Sequence, residues 1–534
     1  MRTEDVGALN GGDRAGPGRA AAWGAALLAV AGTLGATQVY WKNFVDEADN
    51  LAGGLLIARG HALYRDVFSH HLPFPYYWVA AVIWLCGKSI LAVRLSVLVF
   101  ETTIFALAMA LTGLHVPIGL AALVWQAIAN PYYGNLASYH VFKGAALAGI
   151  FVTTLAVTGG FRANDRKRAF FLGILGAVAI LSDGLAVYPV GVCLLALAAS
   201  PGGARGAASV ALVIATILLL SAATLVATGV WPYFLDGVVR FNAEVYRRYR
   251  PVDPFPVTLI ASKALLGLDV LDPRWRNLDP MYDLTIWAPD RWLFTGFCWR
   301  FAVILTSLAL FARRRPVAAV FVYLFVAALL GTGGEERFPA TPLVLVGLLA
   351  ACWFVTAGRP EPSLSRPHRA AVGLRLSTGL ARVLLAGMLA WLALRGAGRI
   401  VARRHELSYQ ANFQRFELNA EAARRIACGR SDVALGIYPS DPLVYFFSEM
   451  PPVSRYLFLY PWVAEIALPD VIRELGSREA VVWIDVAADV WGFSTRTYLA
   501  PLIRFLDVNY SKKGPNLWAS SSVVEGCQAS PSGR

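Results

Sequence analysis

Apolar positions in this chain come in long unbroken runs, not in strand-like alternation or narrow helical stripes. Runs of about 18 residues or more recur between residues 23 and 397, each long enough to cross a bilayer as a helix. They fall at 22–40, 90–112, 115–130, 143–160, 169–182, 185–200, 208–230, 292–311, 317–333, 338–357 and 376–397, about eleven spans in all. The stretch PFPYYWVAAVIWLCG, residues 73–87, is short for a crossing and predicts a juxtamembrane or re-entrant helix at the outer interface. Tyr76, Tyr77, Trp78 and Trp84 suit that depth.

After residue 397 the pattern changes. Strands are expected at 433–438, 481–486 and 516–520, with helices at 420–427, 466–475 and 495–506. Strands alternating with helices predict an α/β domain over 398–534. At the other end, residues 1–21 are polar and Gly-rich and read as a disordered cytoplasmic segment. The first run lacks a small-x-small cleavage site and leads straight into Trp41, Lys42 and a knot of acids, so it reads as a retained span. The transmembrane module then covers 22–397, with extracytoplasmic loops at 41–89 and 231–291.

Composition supports this reading. The chain is 57% hydrophobic and 16% charged, with mean hydropathy +0.53, which excludes an ordinary soluble protein. The net charge of +13 does not require nucleic acid. It comes from short clusters between apolar runs: Arg162, Arg166, Lys167 and Arg168; Arg205; Arg313–Arg315; Arg359, Arg366 and Arg369. Positive loops stay inside, so these face the cytoplasm and the N-terminus lies inside with them. Counting 73–87 as a span would invert that arrangement. The exceptions are Arg395, Arg399, Arg403 and Arg404, which fall outside and suit lipid headgroups. No nucleic-acid motif is present.

Among the cysteines, Cys86, Cys193, Cys298 and Cys352 lie in or beside apolar helices and read as small core residues. Cys428 and Cys527 flank the outer domain and form a disulfide candidate. There is no CxxC and no zinc-type spacing.

The candidate chemistry starts at the end of the first span, in FVDEADNLAGGLLIARGHALYRDVFSHHLPFPYY. Asp46, Glu47 and Asp49 crowd into four positions, and on a helix Asp46 and Asp49 share a face. Acids at a membrane surface are costly to desolvate, so they are either functional or simply solvated. A carboxylate here could take a proton from an attacking alcohol. Cations nearby could stabilise an anionic leaving group. Arg337 on the tip Gly333–Arg337 is one candidate, and Arg240, Arg247, Arg248 and Arg250 are others; headgroup contact is the simpler role for any one of them. His70 and His71 could bind phosphate or join Asp46 on a divalent cation, although no H-x-x-x-H spacing supports a metal.

The wider pattern resembles the multi-spanning lipid-linked sugar transferases of the GT-C fold, which include the protein O-mannosyltransferases and the aminoarabinose transferase of lipid A. The carrying residues are Asp46-Glu47, then Gly60-His61-Ala62-Leu63-Tyr64-Arg65-Asp66, then His70-His71-Leu72-Pro73-Phe74-Pro75-Tyr76-Tyr77, then Ala92-Val93-Arg94. Glu335-Glu336-Arg337-Phe338-Pro339 before a span and Tyr438 to Tyr460 in the tail match as well. The resemblance implies a GT-C bundle and an inverting transfer of a sugar from a polyprenyl-phosphate donor to a hydroxyl on a glycan, lipid or protein. It places the catalytic acids on Asp46 and Glu47, with Asp46 as base. Donor phosphate contacts would fall on Arg337, Lys143, Arg240, His70 and His71, and substrate contacts on Asp49, Tyr64, Asp66, Tyr76 and Glu335.

One region departs from that pattern. Many such transferases carry a second acid before the fourth span, yet no acid stands between Glu101 and Asp165. His140 and Lys143 occupy the neighbourhood, and Asp183 is an acid that could substitute or merely cap a helix. Two other readings remain: a transporter of a lipid-linked or polar substrate, and a non-catalytic membrane protein that binds envelope glycans. The absence of an internal repeat weighs against transport.

Overall fold

The structure, a computed structural model, describes residues 17–41, 43–128, 136–159, 165–249, 297–312, 314–331, 394, 397–398, 400–402, 404–490 and 492–529. The apolar runs in this part of the chain are helices. In chain order they are α1 (Pro17–Ala36), α2 (Val45–Ala58), α3 (Phe74–Cys86), α4 (Ile90–Thr112), α5 (His115–Ile128), α6 (Tyr139–Thr158), α7 (Asp165–Ser182), α8 (Val187–Ala198) and α9 (Ala204–Ala227), followed by Phe297–Ala312 and Pro316–Gly331. By length and composition α1, α4, α6 and α9 suffice to cross a membrane, while α3, α5, α8 and Pro316–Gly331 are shorter apolar helices. The run at 338–357, all of the run at 376–397 except residues 394 and 397, the tip carrying Glu335 and Arg337, and residues 1–16 lie outside the described residues.

α6 is the central helix, buried along nearly its whole length. Its small residues let neighbours close on it: a Cβ at Gly149 would sit 2.6 Å from Leu175 and 2.7 Å from Ile104. α9 lies at the periphery and exposes Leu212, Leu219, Leu220 and Val226, as expected of a lipid-facing helix. Arg168 is buried and donates from Nε and Nη2 to the Leu111 carbonyl at 2.9 and 2.7 Å, satisfying an orphan acceptor at the end of α4. The described residues of the first basic cluster, Arg166, Lys167 and Arg168, therefore stand at the end of the bundle where α4 closes. The opposite end collects the close of α1, the start of α4 and the start of α6.

That opposite end carries the first loop. α2 and α3 fold against each other as a short helical hairpin and do not continue the bundle. Their close approach depends on two glycines: a Cβ at Gly53 would meet the Tyr76 ring at 2.7 Å, and one at Gly54 would meet Val79 at 2.5 Å. The short helix expected over 73–87 is thus present, at 13 residues. Beyond α9, residues 231–249 continue as helix, most of it a π-helix over Leu235–Tyr246. Asn242 on this helix donates to the His70 carbonyl at 2.9 Å.

Residues 404–529 hold the strands that the sequence predicts. β1 (Ala434–Tyr438) and β2 (Ala480–Ile484) pair in parallel. Helices Pro442–Ser448 and Pro461–Ser477 form the crossover between them. β3 (Asp489–Val490) and β4 (Phe493–Ser494) make a small separate hairpin. β5 (Tyr510–Gly514) and β6 (Leu517–Ser520) complete the main sheet in the order β1-β2-β6-β5. β1 is buried along its length, and its outer edge is covered where Leu435 N–H donates to Pro451 O and Val453 N–H to Leu435 O. The sheet region is fastened to the first loop. Phe68 N–H donates to Arg455 O at 2.8 Å, Arg455 Nη1 donates to Tyr64 O at 3.3 Å, and Glu449 pairs with both Arg59 and Lys88.

Candidate active site

The acidic knot opens α2. Asp46 and Glu47 occupy its first turn, where the exposed N–H groups favour negative charge. The helix then divides the three acids among three environments.

Glu47 points inward and is fully buried. It forms a two-point ion pair with Arg94 of α4, including Nε to Oε1 at 2.9 Å, and accepts from Ala137 N–H at 3.1 Å. Arg94 also donates to the carbonyls of Val39 and Trp41, each at 2.7 Å, and lies 4.8 Å from the ring of Phe413. In this structure the Glu47 carboxylate is therefore held by Arg94 and by the Ala137 N–H, which ties α2 to α4.

Asp49 is buried as well. One oxygen accepts from the Tyr76 hydroxyl, and Oδ1 has no hydrogen-bond partner. Burial pushes its carboxyl up to about 7; the Tyr76 hydrogen bond opposes that rise and the charge of Asp46 adds to it. The Tyr76 hydroxyl accepts from Ser69 Oγ at 3.0 Å, and Ser69 Oγ accepts from His71 N–H at 3.0 Å. A relay of hydrogen bonds therefore runs from the His-rich turn down to Asp49.

Asp46 is the open member of the knot, with 21% of its side chain exposed. Its Oδ2 lies 3.6 Å from His140 Nε2, at the start of α6. His140 ends a file of stacked rings: Tyr139–His140 at 3.8 Å between centroids, His71–Tyr139 at 4.5 Å, and His70–His71 at 4.0 Å. Burial drives His70 well below the ordinary histidine range, with the neighbouring His71 adding to the effect, and holds His71 at about 4. Both are neutral at physiological pH, so toward phosphate they could act as hydrogen-bond donors and not as charges. His70 Nδ1 is buried and has no partner.

The other expected site residues fall into place less simply. Lys143 faces the same end of the bundle but is already paired with Asp183. Asp183 also accepts from Leu185 N–H at 3.0 Å, so it caps a helical turn and neutralises the lysine at once. Arg240 is exposed and pairs with Asp236 on its own helix at 2.7 Å, away from the acids. Tyr64 is buried in the left-handed region at φ 71°, and its hydroxyl donates to His71 O at 3.0 Å. Asp66 accepts from Ala62 N–H at 2.8 Å and pairs with Arg65. Tyr64, Asp66 and Tyr76 thus all make hydrogen bonds that shape the turn. Cys428 is disulfide-bonded; the side chain of its expected partner Cys527 lies outside the described residues, as do Arg337 and Glu335. Among the described residues no group of three or more His, Cys, Asp or Glu is arranged to hold a metal ion.

Several residues reach the site without a sequence signal of their own. Tyr460 arrives from the far end of the chain. Its hydroxyl is pushed above the tyrosine range by burial and then by the nearby charges of Asp46, Asp49 and Asp441. Asp441 is itself held up at about 6, chiefly by burial. His140 was visible only as a polar residue standing, with Lys143, where a second acid is missing, and Tyr139 had no signal. Arg94 offered a better signal: a cation four residues into an apolar span demands a buried partner.

No protein-family model and no curated protein sequence shows detectable similarity to the chain. Solved structures do. The crystal structures of ArnT from Cupriavidus metallidurans, in the apo state and bound to undecaprenyl phosphate, match at TM-scores of 0.51 and 0.50. Identity is 15% in each, over 95% of this chain and 99% of that one. The apo oligosaccharyltransferase of Archaeoglobus fulgidus gives a TM-score of 0.46 at 13% identity, over 86% of this chain and 69% of that one. At such identity the ArnT likeness is one of fold: the chain has the GT-C fold.

Proposed function

We propose that this chain is a membrane glycosyltransferase that moves a sugar from a polyprenyl-phosphate donor to a hydroxyl acceptor at the outer membrane surface. The observation that carries the reading is the division of the acidic knot. Glu47 is locked to Arg94 and Asp49 is enclosed by Tyr76, whereas Asp46 is partly open and has a histidine at its side. An undecaprenyl phosphate in the ArnT structure of the same fold supports a lipid-phosphate donor.

Asp46 accepts the proton of the acceptor hydroxyl as its oxygen attacks the anomeric carbon. The sugar–phosphate bond breaks with inversion, and the lipid phosphate leaves as a stable anion that needs no strong acid. His140 positions the Asp46 carboxylate. Because Lys143 is neutralised by Asp183, the leaving phosphate draws on neutral donors of the His70–His71 turn and on Arg337 from the later tip. The basic clusters between the apolar runs favour a cytoplasmic N-terminus, a transmembrane module over 22–397 and an extracytoplasmic domain over 398–534.

The test is transfer of label from a panel of radiolabelled polyprenyl-phosphate sugars in reconstituted vesicles, comparing wild type with Asp46→Asn. The expected result is transfer with at least one donor and its loss, by about 10²–10⁴-fold, in Asp46→Asn. Undiminished transfer by Asp46→Asn would remove Asp46 as the base. Folded wild-type protein that transfers from no donor would overturn the enzyme reading in favour of transport or glycan binding.

A further inference from the structure

A second site lies on the other side of the Glu47–Arg94 lock. A pocket of about 400 Å³ opens between the start of α4 and the helix Tyr409–Ile426. Glu417, Glu421 and Arg424 line it and stand at i, i+4 and i+7, one face of that helix. Lys88 faces them from just before α4, and Tyr409 and Phe446 belong to the aromatic wall.

The charges are arranged by sign and are incompletely satisfied. Lys88 pairs with Glu449 and donates to the Phe447 carbonyl at 3.4 Å, which leaves one of its three donors. Burial and the nearby cations Arg424 and Arg59 lower its proton affinity, while Glu417 opposes them, so Lys88, Arg424 and Glu417 sense one another across the pocket. Tyr409 donates to Glu417 Oε1, and Glu421 has only the exposed Arg425 on its own helix. Arg424 is exposed and has no acid partner among the described residues. The pocket therefore offers two cations for an anion and, within the same space, two carboxylates for a cation.

Its position supplies the remaining constraint. Ile90 and Leu91 close the pocket at the first turn of a membrane-spanning helix. Leu91, Val99 and Leu107 lie at successive levels of α4 and are exposed by 37%, 62% and 44%; at about 100° per residue they spread over an outward arc about 160° wide, with Val99 at its middle. This broad apolar surface runs along α4 up to the mouth of the pocket. An amphiphile with its tails spread over that surface would bring its headgroup in between the charges.

We propose that this pocket binds the headgroup of a zwitterionic phospholipid bearing a primary ammonium. Arg424 and Lys88 contact the phosphate, Glu417 and Glu421 contact the ammonium, and the acyl chains lie along Leu91, Val99 and Leu107. A lipid with an anionic headgroup meets the two carboxylates, and a quaternary ammonium cannot donate hydrogen bonds to them, so both bind less well. The site is separate from the transfer reaction and does not rest on that reading.

The experiment is native mass spectrometry of the purified full chain in detergent with added phosphatidylethanolamine, phosphatidylglycerol or phosphatidylcholine. Three variants accompany it: Arg424→Ala, Glu417→Gln and Glu421→Gln. Wild type is expected to retain phosphatidylethanolamine above both other lipids. Arg424→Ala should lower retention about fivefold, the upper range for a partly exposed charge. Glu417→Gln with Glu421→Gln should erase the preference over phosphatidylglycerol while binding persists. Equal retention of the three lipids, or no effect of Arg424→Ala, would overturn the assignment. A preference that survives loss of both carboxylates overturns the ammonium contact. Soluble phosphoethanolamine that raises the unfolding temperature as much as the lipid does would move the site to a free metabolite and overturn the lipid assignment. Arg424 is an exposed residue outside the acidic knot, so its loss leaves transfer and folding intact.

Discussion

Replacing Arg94 by Met tests what the buried ion pair does. Methionine keeps much of the volume of Arg94 and removes its donors. Glu47 then remains fully buried with a single N–H, that of Ala137, in place of a two-point pair. The carbonyls of Val39 and Trp41 lose their donor in the same stroke. Removing one member of a buried pair costs about 3–5 kcal/mol, because an uncompensated charge stays behind. Equilibrium unfolding in mixed micelles of Arg94→Met, Glu47→Gln and the double variant measures this cost. The double variant carries no buried charge, so it should be more stable than Arg94→Met alone, with a coupling of about 2 kcal/mol between the sites. If the two single losses add to within about 0.5 kcal/mol, the pair is not coupled and the reasoning fails.

Three further outcomes follow from the same geometry. For Asp49 the folded carboxyl titrates near 7 against 3.8 when unfolded, so the acid is held protonated by the fold and stability falls as pH rises between about 4 and about 7. Asp49→Asn should flatten that slope in a pH series of unfolding curves; an unchanged slope would place the titration elsewhere. Gly54→Val sets new atoms against Val79 and should cost at least about 1–3 kcal/mol, separating α2 from α3 and lowering transfer; a neutral effect on the unfolding midpoint contradicts the close packing. His140→Gln removes the ring beside Asp46 and should reduce the rate of transfer about tenfold at unchanged donor KM, the scale of about 1.4 kcal/mol of lost positioning; a change in KM alone would assign His140 to binding.

Much of the fold was legible because lipid imposes a simple rule on sequence: a spanning helix must be apolar over its length. The run read at 90–112 is α4, and the stretch at 73–87, set aside as a span on its length and on the charge bias of the later loops, is the short α3. The strands of the C-terminal segment were found by the same kind of local signal, since β1 and β2 are buried apolar runs. The site was legible only in part. Its residues could be named, but their roles depend on pairings between distant positions: Glu47 with Arg94, Lys143 with Asp183, His71 with Tyr139, and Tyr460 near Asp46. Local pattern does not encode which of three neighbouring acids a helix will turn inward. The π-helix also left no trace in the pattern.

The Glu47–Arg94 lock has a consequence for how the protein is made. Arg94 enters the membrane with α4, long before Phe413, which closes over it, and Tyr460, which comes close to Asp46, have been synthesised. The early helices can therefore pair Glu47 with Arg94 before the rest of the chain exists. The last quarter of the chain closes over this end only once it has folded back onto the first loop. The order of synthesis thus leaves this end of the bundle open until the chain is nearly complete.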